Sequence, residues 1–391
     1  MNIKVIGCGA AGNKAMDLLI KDGFNINNCC FVNSTPKDIS EEYKDHAYIF
    51  GKDRKGGCGK ERTLGKTLIL NDMQNGEFNI DPFITNGECD LVILVSSTEG
   101  GSGSASLPIL AKYVHKVHRL PVICVLFFGF GDDPRGYQNS LEICQELDED
   151  YGIIFIQNSR YFEKANGNKV KAEHLANVQF VNTVKALSGV GIYDSAQNID
   201  DTDILKVVST PGFMTVDQVA IDKFKNYGQY HEFINNYLDE THVVEADKKS
   251  AKRMAVFFCT DNENGVDFTG EVFKKRFGTP YEFFTHIQSP REISFLRWIV
   301  TGQKIPMDDI KLIYENYQKS SSDVDKENDD FFLSMAKLKG NAEDNMFNMI
   351  SSMTIDHKSI DKLKGDFFGE FFGKAVDDHQ QNTTETMEKN Y

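Results

Sequence analysis

The sequence predicts an α/β protein in which a parallel sheet is wrapped by helices and is followed by a smaller α+β domain. Three observations support this fold class. Short β-rich runs alternate with amphipathic stretches through the first half of the 391 residues. Glycine-rich turns directly follow two of those runs, and a long periodic stretch then separates the first half from a second set of elements. The chain is long enough, at 40% hydrophobic residues, for two packed domains.

Six strands are predicted in the first half, and each is a short apolar run bounded by polar or glycine residues. They are "NIKVIG" (2–7), "NCCFVN" (28–33), "HAYIFG" (46–51), "CDLVILVSS" (89–97), "PVICVLFF" (121–128) and "GIIFIQN" (152–158). The stretch 171–189 predicts a long helix, because apolar residues recur at helical spacing before Gly189. Beyond it, a strand is predicted at 253–259 and helices at 291–302 and 306–319.

These elements give four predicted segments. Residues 1–170 would form a ligand-binding domain, since ligands of α/β sheets bind at the carboxyl ends of the strands. Residues 171–204 would contain the central helix and a following loop. A smaller α+β domain is predicted at 205–340, and 341–391 would hold a C-terminal helix and an acidic tail.

Composition limits the function. A net charge of -15 argues against direct nucleic-acid binding, which needs a basic face. The eight cysteines include no C-x-x-C pair, so buried free thiols in a reducing cytoplasm are expected. The longest apolar run, 120–130, is too short to span a bilayer, and no signal peptide is recognisable. We therefore expect a soluble, cytoplasmic protein without membrane partners.

The first glycine-rich turn, "GCGAAGN", predicts a phosphate site. Gly7, Gly9 and Gly12 satisfy G-x-G-x-x-G between a strand and a helix, where backbone N–H groups can meet an anion. A dinucleotide site would also need an acidic residue at the end of the second strand, to hold the ribose. That strand ends at Asn33, which makes an NAD-dependent oxidoreductase the minority interpretation.

Two further glycine-rich segments follow. "GKERTLGKT" (59–67) resembles a P-loop, but five residues separate its glycines instead of four, and no strand leads into it. The neighbouring "KGGCGK" (55–60) is either a solvated basic loop or a loop that closes over a terminal phosphate. "STEGGSGSAS" (97–106) lies between a strand and a helix and predicts a second phosphate loop, with Ser102 and Ser104 as added donors.

Two phosphate loops on one sheet, in this order, resemble the tubulin/FtsZ superfamily of polymerising GTPases. The resemblance covers seven loops up to residue 204. Loop 1 (7–13), loop 2 (32–35), loop 3 (matching residues 56–59, within the segment 56–61) and loop 4 (matching residues 100–106, within the segment 97–106) would bind the phosphates of GTP or GDP. The resemblance implies that these four loops supply the following nucleotide-binding residues: Gly7, Cys8, Gly9, Ala10, Ala11, Gly12, Asn13, Asn33, Gly57, Cys58, Gly59, Gly100, Gly101, Ser102, Gly103 and Ser104.

Loop 5 (127–135) and loop 6 (156–160) resemble the parts of the family that contact the sugar and the base. Arg135 takes the place of the family's nucleotide-contacting arginine. Gly131 replaces the family's glutamate, so Asp132 is the nearest substitute for a ribose contact. Asn158 would lie near the base, and Asn177 on the central helix would face guanine.

Loop 7 (198–204), "NIDDTDI", resembles the family's synergy loop. The resemblance implies that Asp200 and Asp203 are catalytic, that Asn198 positions them, and that they complete the GTP site of the next subunit in a head-to-tail filament. Mg²⁺ would be held through the phosphates and water, without protein ligands. From the residues alone, the same segment also reads as a pair of helix N-caps.

Within the family, the divergent loops look most like the phage and plasmid branch, TubZ and PhuZ. This implies a dynamic filament that moves or positions phage or plasmid DNA or phage particles in a bacterial or phage-infected cell. A DNA-binding adaptor or a phage capsid would be the partner. A cell-division protein of the FtsZ type, and a filament that binds GTP without hydrolysing it, remain alternatives. The phenylalanines at 367, 368, 371 and 372 predict an amphipathic helix that packs on its own body or on a neighbour.

Overall fold

The computed structural model describes residues 1–52, 56–131, 133–147, 150–193 and 199–320. Contacts divide the chain into two units. The first, Met1–Ala111 with Pro121–Ser322, holds every strand described below; the second includes Lys112–Leu120. The predicted C-terminal helix and acidic tail, 341–391, lie outside the described residues. The predicted boundaries at 170, 204 and 340 stay predictions.

Ten strands form one sheet. They are β1 (Ile3–Cys8), β2 (Cys29–Asn33), β3 (Ala47–Ile49), β4 (Leu91–Ser97), β5 (Val122–Phe128), β6 (Gly152–Gln157), β7 (Gly212–Ala220), β8 (Arg253–Cys259), β9 (Glu282–Gln288) and β10 (Phe295–Gln303). The six strands predicted in the first half are confirmed, and so is the strand at 253–259.

Ten α-helices accompany the sheet in the described part of the chain. They are α1 (Gly9–Lys21), α2 (Arg62–Asn75), α3 (Asp81–Thr85), α4 (Ser102–His118), α5 (Pro134–Glu146), α6 (Lys169–Leu187), α7 (Asp201–Val208), α8 (Tyr227–Glu240), α9 (Glu271–Phe277) and α10 (Met307–Ser320). The long central helix is α6, and the helix predicted at 306–319 is α10. Short 3-10 helices connect several of these elements.

The sheet order is β3-β2-β1-β4-β5-β6-β7-β10-β8-β9. From β3 to β6 every neighbouring pair is parallel, and β7 joins β6 through only two residue pairs, Gly152↔Gly212 and Ile153↔Phe213. β10 is antiparallel to both β7 and β8, whereas β8 and β9 are parallel. This mixed α/β architecture confirms the predicted fold class.

Two apolar cores are found among the residues that the structure describes. The larger one packs α1, α6 and α7 against the parallel strands, and the smaller one packs α8 and α9 against β8 and β10. Trp298 is fully buried in the smaller core.

The helix predicted at 291–302 is wrong, because that segment contains β10. All nine residues of β10 are buried, so both faces of the strand are apolar or paired and the sequence shows no two-residue alternation. A continuous apolar run of this kind cannot be distinguished from a buried helix by periodicity. Its β-branched residues, Ile299, Val300 and Thr301, are the signal that favours a strand.

Candidate functional site: the carboxyl edge of the parallel strands

Loops 1 and 4 meet backbone against backbone, because β1 and β4 are neighbours in the sheet. A Cβ atom built on Gly9 would lie 2.8 Å from both N and Cα of Gly103, and Gly9 has a φ of +71°. A Cβ built on Gly103 would lie 2.4 Å from the carbonyl oxygen of Cys8. Only glycine fits at such distances, so these residues set how closely the two turns approach.

Both turns lead straight into helices. α1 begins at Gly9 and α4 begins at Ser102, so Ala10, Ala11 and Ser104 belong to first helical turns and not to open loops. The first four N–H groups of a helix lack intrahelical partners and carry partial positive charge. Two such helix ends side by side, on adjacent strands, form an edge suited to a chain of phosphates.

Loop 2 reaches the same edge. The hydroxyl groups of Ser34 and Ser102 are hydrogen-bonded at 2.5 Å, which joins loop 2 to loop 4. Asn33, at the end of β2, donates from Nδ2 to Asp38 Oδ2 at 3.1 Å and accepts from the Ser34 N–H at 2.8 Å. Its amide therefore holds the shape of loop 2.

Loop 3 lies against loops 2 and 4. The Gly101 N–H donates to the Gly59 carbonyl at 2.9 Å, and a Cβ on Gly57 would lie 3.5 Å from Ser34 Oγ. Cys58 is buried between them at 3% exposure. The segment that resembles a P-loop continues into α2, where Gly65 packs against the Gly101 carbonyl. Loops 1 to 4 are thus gathered at one edge.

Asn13 is the most informative residue at this edge. It is 2% exposed and lies in α1 next to Gly7, and among the described residues neither its Oδ1 nor its Nδ2 has a hydrogen-bond partner. A buried amide without partners costs roughly 1–3 kcal/mol per polar group, so such groups are usually satisfied by water or a ligand. The unpaired amide and the glycine contacts fit a bound phosphate compound.

The two asparagines predicted to contact the base make fewer described contacts than the residues of loops 1 to 4. Asn158 begins the short helix after β6, is 9% exposed, and its Oδ1 has no partner. Asn177 is half-buried on α6. No described contact connects either side chain with loops 1 to 4, and their roles stay predictions.

Loop 7 lies at the other end of the sheet. Asp201 Oδ2 accepts from the backbone nitrogen of Met1 at 2.9 Å, immediately before β1 begins. At about 3.3 Å per residue, β1 separates that contact from loop 1 by roughly 17 Å or more. Asp200 and Asp203 lie within two residues of Asp201. They are therefore remote from the edge of their own chain at which loops 1 to 4 meet. Asn198 lies outside the described residues.

Asp200 is the N-cap of α7. Its Oδ1 accepts from the Asp203 N–H at 2.7 Å, so the capping interpretation describes a contact that is present. Burial and the neighbouring Asp200 charge raise the pKa of Asp203 above its ordinary value. The two carboxylates thus lie close enough to interact electrostatically.

The cysteines are free, and all except Cys89 are buried. Burial raises the pKa of Cys8 to about 12, so the thiol at the phosphate edge is protonated and unreactive.

Comparison with known proteins identifies the first part of the chain. Residues 2–166 match the model of the tubulin/FtsZ family, GTPase domain. These residues are a tubulin/FtsZ-family domain. Cell division protein FtsZ 1 of Methanocaldococcus jannaschii is 23% identical over 218 residues, 55% of this chain and 58% of that relative. Tubulin-like protein CetZ1 of Haloferax volcanii is 24% identical over 246 residues, 58% and 62% respectively. The match spans about three fifths of these relatives.

Solved structures extend the likeness of fold beyond this domain. A GTPγS-bound protofilament of CetZ2 from Haloferax volcanii has a TM-score of 0.67 at 16% identity, covering 82% of this chain and 99% of that one. A GTPγS-form protofilament of TubZ from Bacillus thuringiensis serovar israelensis has a TM-score of 0.66 at 18% identity, covering 82% and 92%. The tubulin/FtsZ-like fold therefore includes the second half of the described chain.

Loop 5 of the tubulin/FtsZ-family domain is contacted by a loop 4 residue that the sequence did not indicate. Glu99, from loop 4, accepts from the Gly131 N–H at 3.0 Å. A Cβ on Gly129 would lie 2.3 Å from the Glu99 carboxyl carbon, so the glycines of loop 5 leave room for this side chain. A carboxylate is therefore present beside Gly131, although position 131 itself has no side chain. Only the contact between loops shows this, because positions 99 and 131 are far apart in sequence. Asp132 lies outside the described residues.

Arg135 is held on loop 3. It donates to Glu61 Oε2 at 2.6 Å and to Gln138 Oε1 at 3.0 Å. Its head group thus lies beside loop 3 and already has partners there.

Within the described ranges, no cluster of three or more histidine, cysteine, aspartate or glutamate side chains could hold a metal ion. None of the helices in those ranges is long and apolar enough to cross a membrane.

Proposed function

We propose that this protein is a polymerising GTPase whose subunits assemble head to tail and hydrolyse GTP at the contacts between them. The observation that carries the proposal is the placement of two half-sites at opposite ends of one sheet. Loops 1 to 4 lie at the carboxyl ends of the parallel strands, and loop 7 lies where β1 begins.

The phosphate half-site would bind the triphosphate through the N-termini of α1 and α4. Unpaired N–H groups and the Ser102 hydroxyl would stabilise charge on the phosphate oxygens, and the Asn13 amide would gain the partners it lacks. The predicted role of the Ser104 hydroxyl as a phosphate donor does not fit, because this hydroxyl is buried and donates to the Gly100 carbonyl. Asn158 and Asn177 would recognise guanine, and Arg135 would lie beside the phosphates. Glu99 supplies a carboxylate to loop 5 for the ribose, in addition to Asp132.

The carboxylate half-site would act on the neighbour's nucleotide. Asp200 and Asp203 cannot reach the phosphates of their own chain across the length of β1, whereas a head-to-tail contact would bring them there. Their role would be to orient the attacking water, since phosphoryl transfer depends mainly on positioning and electrostatics. Asn198 would position them, and Mg²⁺, bound through the phosphates and water, would neutralise phosphate charge.

Head-to-tail contacts of one kind produce an open filament and not a closed ring. Solved relatives of the same fold include protofilaments of CetZ2 and TubZ and a two-stranded TubZ filament. By that similarity we propose a cytoplasmic filament that moves or positions phage or plasmid DNA or phage particles. The chain's net charge of -15 favours an adaptor protein or a capsid as the partner, instead of direct DNA contact.

The proposal is tested by phosphate release and light scattering with GTP, ATP and NAD at increasing protein concentration. We expect turnover with GTP only, rising more steeply than in proportion to protein and in step with assembly. Turnover strictly proportional to protein, without scattering, would contradict catalysis between subunits. Binding of NAD in place of GTP would favour a monomeric oxidoreductase.

A substitution at Asp200 separates catalysis from capping. Asp200→Asn keeps an N-cap oxygen but removes the charge, because asparagine caps helices as well as aspartate does. We expect filaments that form with GTP and persist, since hydrolysis falls at least about tenfold. Asp201→Asn, a change at the 77% exposed neighbour, is the matched control and should turn over like the parent. Parental turnover by Asp200→Asn would remove Asp200 from the mechanism.

A further inference from the structure

Arg62 is a fully buried charge between the phosphate loops. It is the first residue of α2, directly after loop 3, and is 1% exposed. Its Nε donates to Ser104 Oγ at 3.1 Å and its Nη2 donates to the Ser104 carbonyl at 3.0 Å. One guanidinium therefore ties the end of loop 3 to both polar groups of a loop 4 residue.

Two carboxylates of α5 balance that charge. Arg62 Nη1 donates to Glu142 at 2.9 Å, and Nη2 donates to Glu146 at 2.7 Å. A buried arginine without such partners would be strongly destabilising, so the pairing explains how the charge is tolerated there. The carboxylates are 35% and 30% exposed, which leaves them partly hydrated.

Asn139 extends the same connection. It lies on α5 three residues before Glu142 and seven before Glu146, which places the three side chains on one helix face. Asn139 is fully buried, and its Nδ2 donates at 2.9 Å to the carbonyls of both Lys60 and Glu99. Loops 3 and 4 are therefore each bonded to α5, in addition to the direct bond from Gly101 N to Gly59 O.

We propose that Arg62 is a positioning residue that locks loop 3 onto loop 4 and α5, so that the tip of loop 3 is held over the terminal phosphate. The inference rests on the proposed GTP site. Arg62 is enclosed by Ser104 and the two glutamates, and it acts through the loops. Loss of Arg62 would loosen loop 3, which Asn139 and the bond from Gly101 to Gly59 would still connect, and would leave loop 1 and its contact with loop 4 intact. The binding of a third phosphate would suffer more than the binding of a diphosphate.

The test measures the dissociation constants of GTPγS and GDP for the full chain and for variants. Arg62→Met should weaken GTPγS binding about tenfold more than GDP binding, because loop 3 is no longer held in place over the third phosphate. The preference of Arg62→Lys for GTPγS over GDP should lie between the preferences of the parent and of Arg62→Met. An ammonium group restores the positive charge but cannot make the paired hydrogen bonds of the planar guanidinium. The double variant Glu142→Gln with Glu146→Gln should change the ratio of the GTPγS and GDP dissociation constants in the same direction as Arg62→Met, but by a smaller factor.

Arg276→Met is the matched control. Arg276 also pairs with two carboxylates, Asp239 and Glu245, and donates to a carbonyl, but it belongs to α9. Its loss should lower the melting temperature without changing the GTPγS-to-GDP ratio. An equal loss for both nucleotides in Arg62→Met and Arg62→Lys, or no loss, would overturn the positioning role. Failure of the parent to bind either nucleotide would instead overturn the proposed function. If Arg62→Met does not fold, Arg62→Lys and the double variant decide the matter.

Discussion

The parallel part of the sheet, β3 to β6, and the mixed part, β7 to β10, use different contacts at their strand ends. At the carboxyl edge of the parallel part, glycine backbones touch, α1 follows β1 directly, and four residues connect β4 to α4. At the starts of β8 and β9, charged side chains meet instead, with Glu282 between Lys206 and Arg253. The first arrangement should be sensitive to a single methyl group, and the second to pH.

The largest effect is expected from Gly103→Ala. The new methyl would lie 2.4 Å from the Cys8 carbonyl oxygen, which is backbone and cannot move aside as a flexible side chain does. We expect a loss of about 3 kcal/mol in the free energy of unfolding and at least a hundredfold loss of nucleotide affinity. Denaturant unfolding and nucleotide titration measure both.

Gly100→Ala is the stability control for that change, since a Cβ there meets nothing within 4 Å. Its unfolding free energy should stay within about 0.5 kcal/mol of the parent. Equal destabilisation by the two substitutions would mean that the contact between loops 1 and 4 is not the sensitive one.

The two parts also differ in how far the sequence determines them. In the parallel part, strands and glycine turns are local signals, and the meeting of loops 1 and 4 at one edge could be predicted from residues 7–13 and 97–106. The contact of Glu99 with Gly131 and the pairing of Arg62 with α5 could not, because both depend on which loops the sheet brings together. In the mixed part, β10 lacks alternation since both its faces are buried, and the predicted helix was wrong.

Lys4→Met should have the next largest effect, in the parallel part. Lys4 is 2% exposed in β1, and its ammonium donates to the carbonyls of Phe83, Ile84 and Asn86 at 2.7–2.9 Å. The substitution leaves these carbonyls without their donor, so we expect about 3 kcal/mol of destabilisation by denaturant unfolding.

Arg297→Met, in the mixed part, is the comparison for Lys4→Met. Arg297 is 3% exposed, but its Nη1 has no partner, and burial lowers its pKa to about 10. Because this charge is incompletely satisfied, its removal should cost less than removal of Lys4. If Arg297→Met lowered the unfolding free energy more than Lys4→Met, the number of hydrogen bonds lost by buried carbonyls would not explain the cost of removing a buried charge.

Glu282→Gln tests the pH sensitivity of the mixed part. Hydrogen bonds from Lys206 and then Arg253 hold the pKa of Glu282 below its ordinary value. The stability that this carboxylate contributes is therefore present above its unfolded pKa, about 4.3, and is lost as pH falls through the lower folded pKa. We expect Glu282→Gln to cost about 1 kcal/mol at pH 7, and the difference from the parent to vanish at acidic pH.

Glu271→Gln is the control, because this 67% exposed carboxylate makes only a 3.6 Å pair with Lys274. It should change the unfolding free energy by less than about 0.5 kcal/mol at any pH. A pH-independent loss in Glu282→Gln would indicate that packing, and not its charge, matters there.

Asp203→Asn should have the smallest effect on stability and a large one on turnover. Burial, with the charge of Asp200, raises the pKa of Asp203, so the folded protein disfavours the ionised carboxylate. An acid with a raised folded pKa costs stability above its unfolded pKa, and the cost grows as pH rises through the folded value. The melting temperature of Asp203→Asn should therefore exceed that of the parent by about 1 °C at neutral pH and match it at acidic pH.

GTP turnover by Asp203→Asn should fall at least about tenfold. A more stable protein without turnover would mark Asp203 as a charge kept for chemistry, whereas a lower melting temperature would mark it as part of the structure of α7.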